Sequence, residues 1–481
     1  MTDAAPETPA VEPSAEKLKL GVLSLGCPKN LVDTEVLLGK AAQQDYMICA
    51  DPADAEVVVV NTCSFIDQAR DESFAAIEEV VRWKKAGKVK NIVVSGCLAQ
   101  RYGESIREKV PEVDTIIGMS EYQSFDSVLE EISAGRKKAA EEATSPWRTL
   151  VSKDANYDLQ PQTGRLRVTP GHYGYLKISE GCSNACTFCA IPNFRGLFRS
   201  KPRDMVLAEA RELTESGAGE LNIISQDTTH YGIDLEGETW QTGLANLLRE
   251  LGELGNLRWI RLLYAYPGHV SDELMAEMAR NPKVVPYLDM PIQHINTRIL
   301  KRMGRRHTRE ETCELLTKLR ATIPGLVLRT TFIVGFPGET EEEFEELVEF
   351  VKEFRFERLG VFPYSTEEGT SAGERFEDDI PDEVKADRVD RLMTAQQPIA
   401  LDWAESMIDR TLAVVVEEPV VGEQGPVPGV YFGRTLYDAP EVDPIILLSG
   451  PEGIAPGTFA EATITGSRGY DLEGLIQPLD V

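Results

Sequence analysis

The sequence has no run of roughly 18 consecutive apolar residues, the length a membrane-spanning helix needs, so no membrane span is expected. Its start, MTDAAPETPAVEPSAEK, lacks the basic segment and apolar stretch of a secretory signal. Residues 1–17 therefore read as a disordered Ala/Pro/Glu tail, and the protein is expected in the cytoplasm. Basic residues are few: 50 Lys and Arg against 79 Asp and Glu leave a formal net charge of −29. Such a chain repels nucleic acid and anionic lipid at long range and attracts basic partners. Cysteines are also few, at 27, 49, 63, 97, 182, 186, 189 and 313. Without an export signal they are not expected to form disulfides, and clustered ones point to metal or catalysis. What is present is ordinary globular composition, 42% hydrophobic, over a length that suggests about three domains.

Residues 18–135 repeat one unit. KLGVLSLG, EVVVVNT, NIVVSG and DTIIGM are β-branched or apolar runs, and amphipathic helical stretches such as LVDTEVLLGKAAQQ separate them. This alternation predicts a parallel sheet buried on both faces. Residues 136–165, with RKKAAEEATSPW and DLQPQTG, read as a linker. Residues 166–400 alternate again. GYLKIS, ELNIIS, WIRLLY, YLDMPI, LVLRTTFIVG and RLGVFPY supply six βα units, which suit a closed or partial (β/α)6 barrel. Residues 401–481 hold short strands between Gly/Pro turns, as expected of a small antiparallel β-barrel of the oligonucleotide-binding size class. That last module has three arginines, no lysine and fourteen acidic residues, a net charge of −11.

The strongest chemical signal is EGCSNACTFCAIP, in which Cys182, Cys186 and Cys189 form CxxxCxxC directly after a strand. Thiolates are soft ligands suited to iron–sulfur clusters. Three of them leave one iron of a cubane open, which makes a metal site reactive; a zinc knuckle or buried thiols are the bland readings. A second trio, Cys27, Cys63 and Cys97, is spread over 70 residues, yet each cysteine follows a parallel strand. All three therefore belong at one edge of the sheet, where α/β ligand sites form. Three unrelated buried cysteines are the alternative. Cys49 and Cys313 lack such placement and read as packing residues.

CxxxCxxC after the first strand of an α/β barrel resembles the radical S-adenosylmethionine superfamily. With a second three-cysteine site in an N-terminal α/β domain and a small C-terminal β-barrel, nearly the whole chain resembles the methylthiotransferases, whose third domain is called TRAM. The resemblance implies two 4Fe–4S clusters and S-adenosylmethionine. The barrel cluster binds that cofactor at its open iron and cleaves it to a 5′-deoxyadenosyl radical; the auxiliary cluster holds the sulfur to be inserted. SLGCPKNLVDTE and GCSNACTFCAIPNFRG are similar to the RimO type, which modifies an aspartate β-carbon of small-subunit ribosomal protein twelve, whereas the tRNA-modifying branch reads GCQMN and CVVP there. The acidic third module agrees, since a tRNA binder needs Lys and Arg for phosphates, while an acidic module suits a basic ribosomal protein. Other implied partners are an electron donor such as a flavodoxin or ferredoxin; a monomer without strong nucleic-acid binding is expected. A tRNA adenosine methylthiotransferase and a non-catalytic iron–sulfur carrier are the alternative readings.

Further candidates sit at predicted strand ends. Phe188, between two ligand cysteines, is either a site aromatic or simple packing. Ser225 and Gln226 (with Asp227) follow ELNIIS on the catalytic rim and are candidates for the cofactor's amine or ribose. GFPGET joins a strand to a helix, and the resemblance places cofactor contacts there, at Gly335 and Glu339; a plain β–α connection is the alternative. Gln293 and His294 follow another strand and are candidates for cofactor or substrate. Arg195 and Arg199 flank the cysteine loop as candidates for a carboxylate, while Lys177 and Glu180 read as rim salt-bridge residues.

Overall fold

The β-branched runs of the first domain build one sheet. In the computed structural model, which describes residues 17–44, 46–138, 148–152, 155, 159–423 and 425–478, the N-terminal elements are β1 (Lys19–Ser24), α1 (Pro28–Gln43), β2 (Met47–Ile48), β3 (Val57–Thr62), α2 (Asp67–Lys85), β4 (Asn91–Ser95), α3 (Gly96–Lys109), β5 (Thr115–Ile117), α4 (Phe125–Lys138) and β6 (Arg148–Leu150). All pair in parallel, in the order β2-β1-β3-β4-β5-β6. Successive strand residues point to opposite faces, so Val58, Val60, Ile92 and Val94 pack with Ile77, Val80 and Ile106 of α2 and α3. Val57, Val59 and Val93 pack on the other face with Leu37, Phe125 and Leu129 of α1 and α4.

Two expected boundaries move. β6 lies inside the segment expected to be a linker and completes the sheet edge, with Gly118 N–H donating to the Leu150 carbonyl at 2.7 Å. A three-residue edge strand shows no sequence period, because its neighbour's free edge defines it. The rest of the linker's described part is held down: Arg165 is buried and pairs with Glu35 of α1 at 3.3 Å. The tail expected at 1–17 lies, except for Lys17, outside the described residues.

The second sheet contains all six expected strands. Its elements are β7 (Tyr173–Lys177), β8 (Ser179–Glu180), α5 (Ile191–Arg195), β9 (Arg199–Ser200), α6 (Arg203–Glu215), β10 (Glu220–Ile224), α7 (Gly243–Gly252), β11 (Trp259–Leu262), α8 (Asp272–Arg280), β12 (Val284–Asp289), α9 (Thr297–Arg302), α10 (Arg309–Thr322), β13 (Val327–Val334), α11 (Glu341–Phe354), β14 (Arg358–Pro363), α12 (Ser371–Arg375) and α13 (Asp382–Ser406). The order β14-β13-β12-β11-β10-β7 is fully parallel and does not close, so the barrel is partial. The boundary expected between 400 and 401 falls within α13, which runs on into the third domain.

That domain is a closed five-stranded barrel of β15 (Thr411–Gly422), β16 (Gly425–Thr435), β17 (Ile446–Ser449), β18 (Phe459–Arg468) and β19 (Asp471–Ile476). Its pairings are antiparallel except β17–β19, which is parallel. It is fastened to the concave side of the open sheet at the amino ends of the strands. Val415 and Ala439 pack with Tyr173, Tyr175, Trp259, Val285 and Tyr287. Glu220, the first residue of β10, accepts from Arg261 at 2.9 Å and from Arg434 of β16 at 2.6 Å, all three being buried. Arg358 pairs with Asp438 at 2.6 Å, and Tyr287 donates to Asp443 at 2.7 Å. The amino ends are thereby filled, and the carboxyl ends are left for chemistry. Arg434→Met removes one of the two cations on a buried carboxylate and is expected to cost about 3 kcal/mol. The measurable result is a lowered denaturation midpoint with faster proteolysis near residues 407–411, and Glu220→Gln in the same chain should recover part of it.

Candidate active site

Three thiols meet at the carboxyl edge of the N-terminal sheet. Cys27 caps α1, Cys63 directly follows β3, and Cys97 lies in the first turn of α3. Gly26 has φ +89°, and a Cβ there would come within 2.9 Å of the Cys63 sulfur. Only glycine lets the chain turn so close to a second thiol. Burial pushes the Cys27 thiol up, but Lys29, Arg195 and the backbone N–H groups of Asn30 and Lys29 more than offset it, leaving the thiol below its ordinary value. Burial raises Cys63, and raises Cys97 to about 12. The Arg195 guanidinium partly counters this by donating to the Cys97 sulfur at 3.4 Å.

The second trio sits in the loop after β8. Gly181, φ +77°, starts the loop where any Cβ would lie 2.2 Å from the Leu197 carbonyl oxygen. The Cys182 N–H donates to the Gly196 carbonyl, and the Asn184 N–H points at the Cys182 sulfur at 3.5 Å. Arg305 Nη1 lies 3.6 Å from the Cys186 sulfur. Burial is the main cause that holds Cys182 up at about 12 and raises Cys189 further. Among the described residues, only Asp227, His230 and His269 bring three ligand atoms within 4.8 Å of one another. Tetrahedral zinc with sulfur near 2.3 Å needs thiolates about 3.8 Å apart. Neither cysteine trio is that tight, while both offer buried sulfurs already facing N–H donors. This donor set fits an iron–sulfur cluster.

One short segment links the two trios. Cys97 packs against Ala190 and Phe194, which follow Cys189 into α5. The same segment ends at Arg195, which donates to Glu180 at 3.0 Å and to Asp33 of α1 at 3.3 Å. Lys177 of β7 completes the square, 2.5 Å from Asp33 and 3.0 Å from Glu180. All four side chains are buried. Burial alone would raise Glu180, yet Lys177 and Arg195 hold it well below the usual carboxylate range. The expectation that Arg195 waits for a ligand carboxylate is corrected: internal carboxylates already engage it. Arg199 donates to the backbone carbonyls of Ala155 and Arg195.

The other candidates divide. Ser225 and Gln226 follow β10 beside this square. Ser225 shares a 2.5 Å hydrogen bond with Ser179, and Gln226 Nε2 donates to Glu180 at 2.9 Å. Gln226 Oε1 is buried and has no hydrogen-bond partner among the described residues, an acceptor left for a ligand donor. Asp227 accepts from Asn184 and from His269, both at 2.8 Å. Phe188 packs into an apolar group with Ile299, Met303, Phe336 and Tyr364, so the GFPG turn braces the cysteine loop. Gly335 (φ +71°) donates its N–H to Glu339. His294 is wholly buried: Nδ1 accepts from Asn296 N–H and Nε2 faces Glu339 at 3.1 Å. Arg388 of α13 takes the other Glu339 oxygen at 3.0 Å. His294 and Glu339 thus lock the turn to α13, their side-chain polar atoms all having partners among the described residues. Cys313 packs beside the barrel core and Cys49 beside the N-terminal one. The sequence reading missed Asp33 and Lys29, whose one signal was opposite charge at helical spacing i, i+4 in the helix that follows Cys27.

The comparisons with known proteins follow this plan. Residues 176–351 match the Radical SAM superfamily, residues 19–118 the Uncharacterized protein family UPF0004, and residues 408–476 the TRAM domain. The radical S-adenosylmethionine methyltransferase TsrM of Kitasatospora setae, solved with cobalamin and a [4Fe-4S] cluster, shares the fold at TM-score 0.52 and 16% identity, over 75% of this chain and 77% of that one. The cobalamin-dependent enzyme OxsB gives TM-score 0.51 at 13% identity, over 80% and 56%. The fold and the cysteine loop define a radical S-adenosylmethionine enzyme, with S-adenosylmethionine and 4Fe–4S clusters as its cofactors. Ribosomal protein uS12 methylthiotransferase RimO of Lachnoclostridium phytofermentans is 44% identical over 457 residues, 95% of this chain and 99% of that protein. The Geobacter sulfurreducens protein of the same name is 43% identical over 96% and 99%. The chain belongs to this methylthiotransferase family.

Arg195→Met leaves Asp33 and Glu180 sharing one cation and takes a donor from Cys97. It is expected to cost about 3–5 kcal/mol and to loosen the joint, read as faster amide exchange in α1 and α5.

Proposed function

We propose that this methylthiotransferase attaches a methylthio group to the β-carbon of an aspartate in ribosomal protein uS12. The observation that carries this reading is the presence of two three-cysteine sites at the carboxyl ends of two parallel sheets, linked where Cys97 packs against Ala190 and Phe194, the residues that follow Cys189. Cys182, Cys186 and Cys189 would hold the cluster that binds S-adenosylmethionine, and Cys27, Cys63 and Cys97 the cluster that carries sulfur. When bound, these groups supply hydrogen abstraction from an unactivated carbon and delivery of a methylated sulfur. The chain's own residues place them. Gln226, through its unpartnered Oε1, takes a donor of the cofactor, and Ser225 fixes that loop by accepting from the Asp227 N–H at 3.1 Å. Arg195 and Arg305 direct N–H groups at one sulfur of each trio, which favours the thiolate form. Phe188, Gly335, Glu339 and His294 support the cysteine loop from behind.

A ribosomal protein is a better match than tRNA for the third domain. Of its three arginines, Arg434 is buried between Glu220 and Glu417, and Arg468 pairs with Glu473 at 3.0 Å. Phosphate neutralisation would fall to Arg410. No helix of the described residues is long and apolar enough to cross a membrane. We place the enzyme in the cytoplasm as a monomer, reduced by a flavodoxin- or ferredoxin-type donor.

Anaerobic iron and sulfide analysis with Mössbauer spectroscopy is expected to give about eight irons per chain, as two cubanes require. Cys27→Ala should leave about four, with S-adenosylmethionine still cleaved. Mass spectrometry of uS12 after reaction should show a methylthio addition on one aspartate. An unmodified uS12 with both clusters intact would contradict the substrate.

A further inference from the structure

The two edges of the open sheet differ. Successive residues of a parallel strand turn their N–H and C=O groups to opposite sides. On β7 the outward carbonyls are covered. That of Tyr175 accepts from Arg165 at 2.6 Å, and that of Tyr173 from Thr169 at 3.2 Å and Arg167 at 3.4 Å. At the end of β14 the Tyr364 N–H donates inward to the Val334 carbonyl of β13, so Leu359 and Val361, of the other parity, turn theirs to the free edge. Outside the ladder with β13, no hydrogen bond among the described residues reaches the backbone of Leu359 or Val361. Pro363 shares their parity, where an edge strand tolerates proline. This edge is open. Leu359, Gly360 and Val361 are part-exposed, and Phe362 is 53% exposed. On the concave face Thr331 and Ile333 of β13, paired with Gly360 and Phe362, are part-exposed as well. The chain after β14 runs to the elements that carry both cysteine sites. The Gly369 carbonyl accepts from Asn193 at 2.7 Å, the Ala372 N–H donates to the Thr187 carbonyl at 2.7 Å, and Glu367 pairs with Arg101 of α3 at 3.1 Å. Residues 366–379 hold six acidic residues and one arginine.

We propose that β14 is the docking strand for the substrate: an extended segment of uS12 beside the target aspartate pairs with the backbone of Leu359 and Val361 and adds a strand to the sheet. A free edge with outward N–H and C=O groups is a template for such addition. Donors and acceptors at alternate residues match a polypeptide backbone; a nucleic-acid backbone offers phosphate charge instead. The acidic 366–379 segment favours a basic chain and repels phosphate. A strand added here lies alongside β14 up to its carboxyl end, from which the chain reaches the cysteine loop, and the Phe362 ring gives it an apolar contact. This inference rests on the proposed uS12 reaction and adds the place where that protein is held.

The test has two arms, both on the anaerobically reconstituted full chain. In the first, a benzophenone amino acid replaces Phe362, and the enzyme is irradiated with intact uS12 and S-adenosylmethionine but no reductant. Mass spectrometry should place the cross-link within about six residues of the target aspartate, the roughly 20 Å that six extended residues span. In the second, Val361→Pro removes one outward N–H and blocks approach to the edge. It should raise the KM for uS12 about tenfold or more, the range for a lost hydrogen bond that strands its partner, while the protein still carries about eight irons. The proposal is overturned if no cross-link forms, or if it falls only elsewhere on uS12. It is also overturned if Val361→Pro, with its irons in place, keeps the native KM. Should Val361→Pro lose its irons through misfolding, the cross-link alone decides. Failure of the native enzyme to modify uS12 would instead remove the function on which the proposal stands.

Discussion

Asp33, Lys177, Glu180 and Arg195 form a closed square of two carboxylates and two cations, buried where the first α/β domain meets the second. Such charges are tolerated out of water only with near-complete pairing, which makes the square sensitive to geometry. If α1 moves relative to β7, Asp33 leaves both cations. If α5 turns, Arg195 leaves two carboxylates and the Cys97 sulfur together. The relative position of the two cysteine sites is therefore tied to a set of contacts that holds in one arrangement. We take this specificity, more than net stabilisation, to be what the square contributes.

The third domain imposes the complementary constraint. Its β16 arginine and the acidic 438–443 segment enter the open side of the barrel at the amino ends of the strands. A partial barrel without that filling would expose Tyr173, Tyr175 and Tyr287 to water. Filling one end directs ligands to the other, where the cysteine loop, Gln226 and Lys29 gather. The module that resembles an oligonucleotide binder thus uses its buried arginine for internal docking, and its remaining charged side chains are mostly acidic.

Much of this was legible in the sequence where one physical period governs. The strand runs predicted both parallel sheets, since burial on both faces leaves a continuous apolar signature. The position of Cys27, Cys63 and Cys97 after three such strands placed them together although they span 70 residues. The edge strands β2 and β6 were missed because two or three residues carry no period, and β19 because Gly474 stands among its inward positions, Leu472, Gly474 and Ile476, and interrupts the apolar alternation. The ion square was illegible for a different reason. Asp33 lies 144 residues from Lys177 and 162 from Arg195, and pairing at that separation leaves no local trace. Arg195 looked like a free ligand for the same reason. His294 and Glu339 looked like rim residues because strand ends favour function, yet α13, packing from outside, supplies the arginine that turns them into a brace.

The central claim is that two cysteine trios, held in register by the ion square, each grip an iron–sulfur cube with one iron left open. Anomalous scattering at the iron edge, measured on crystals of the anaerobically reconstituted protein, tests it most directly. The account predicts two compact iron sites, one against Cys27, Cys63 and Cys97 and one against Cys182, Cys186 and Cys189, with the Ala190–Phe194 segment between them. Iron at the barrel loop alone, or a single zinc drawn between the N-terminal thiols, would contradict it.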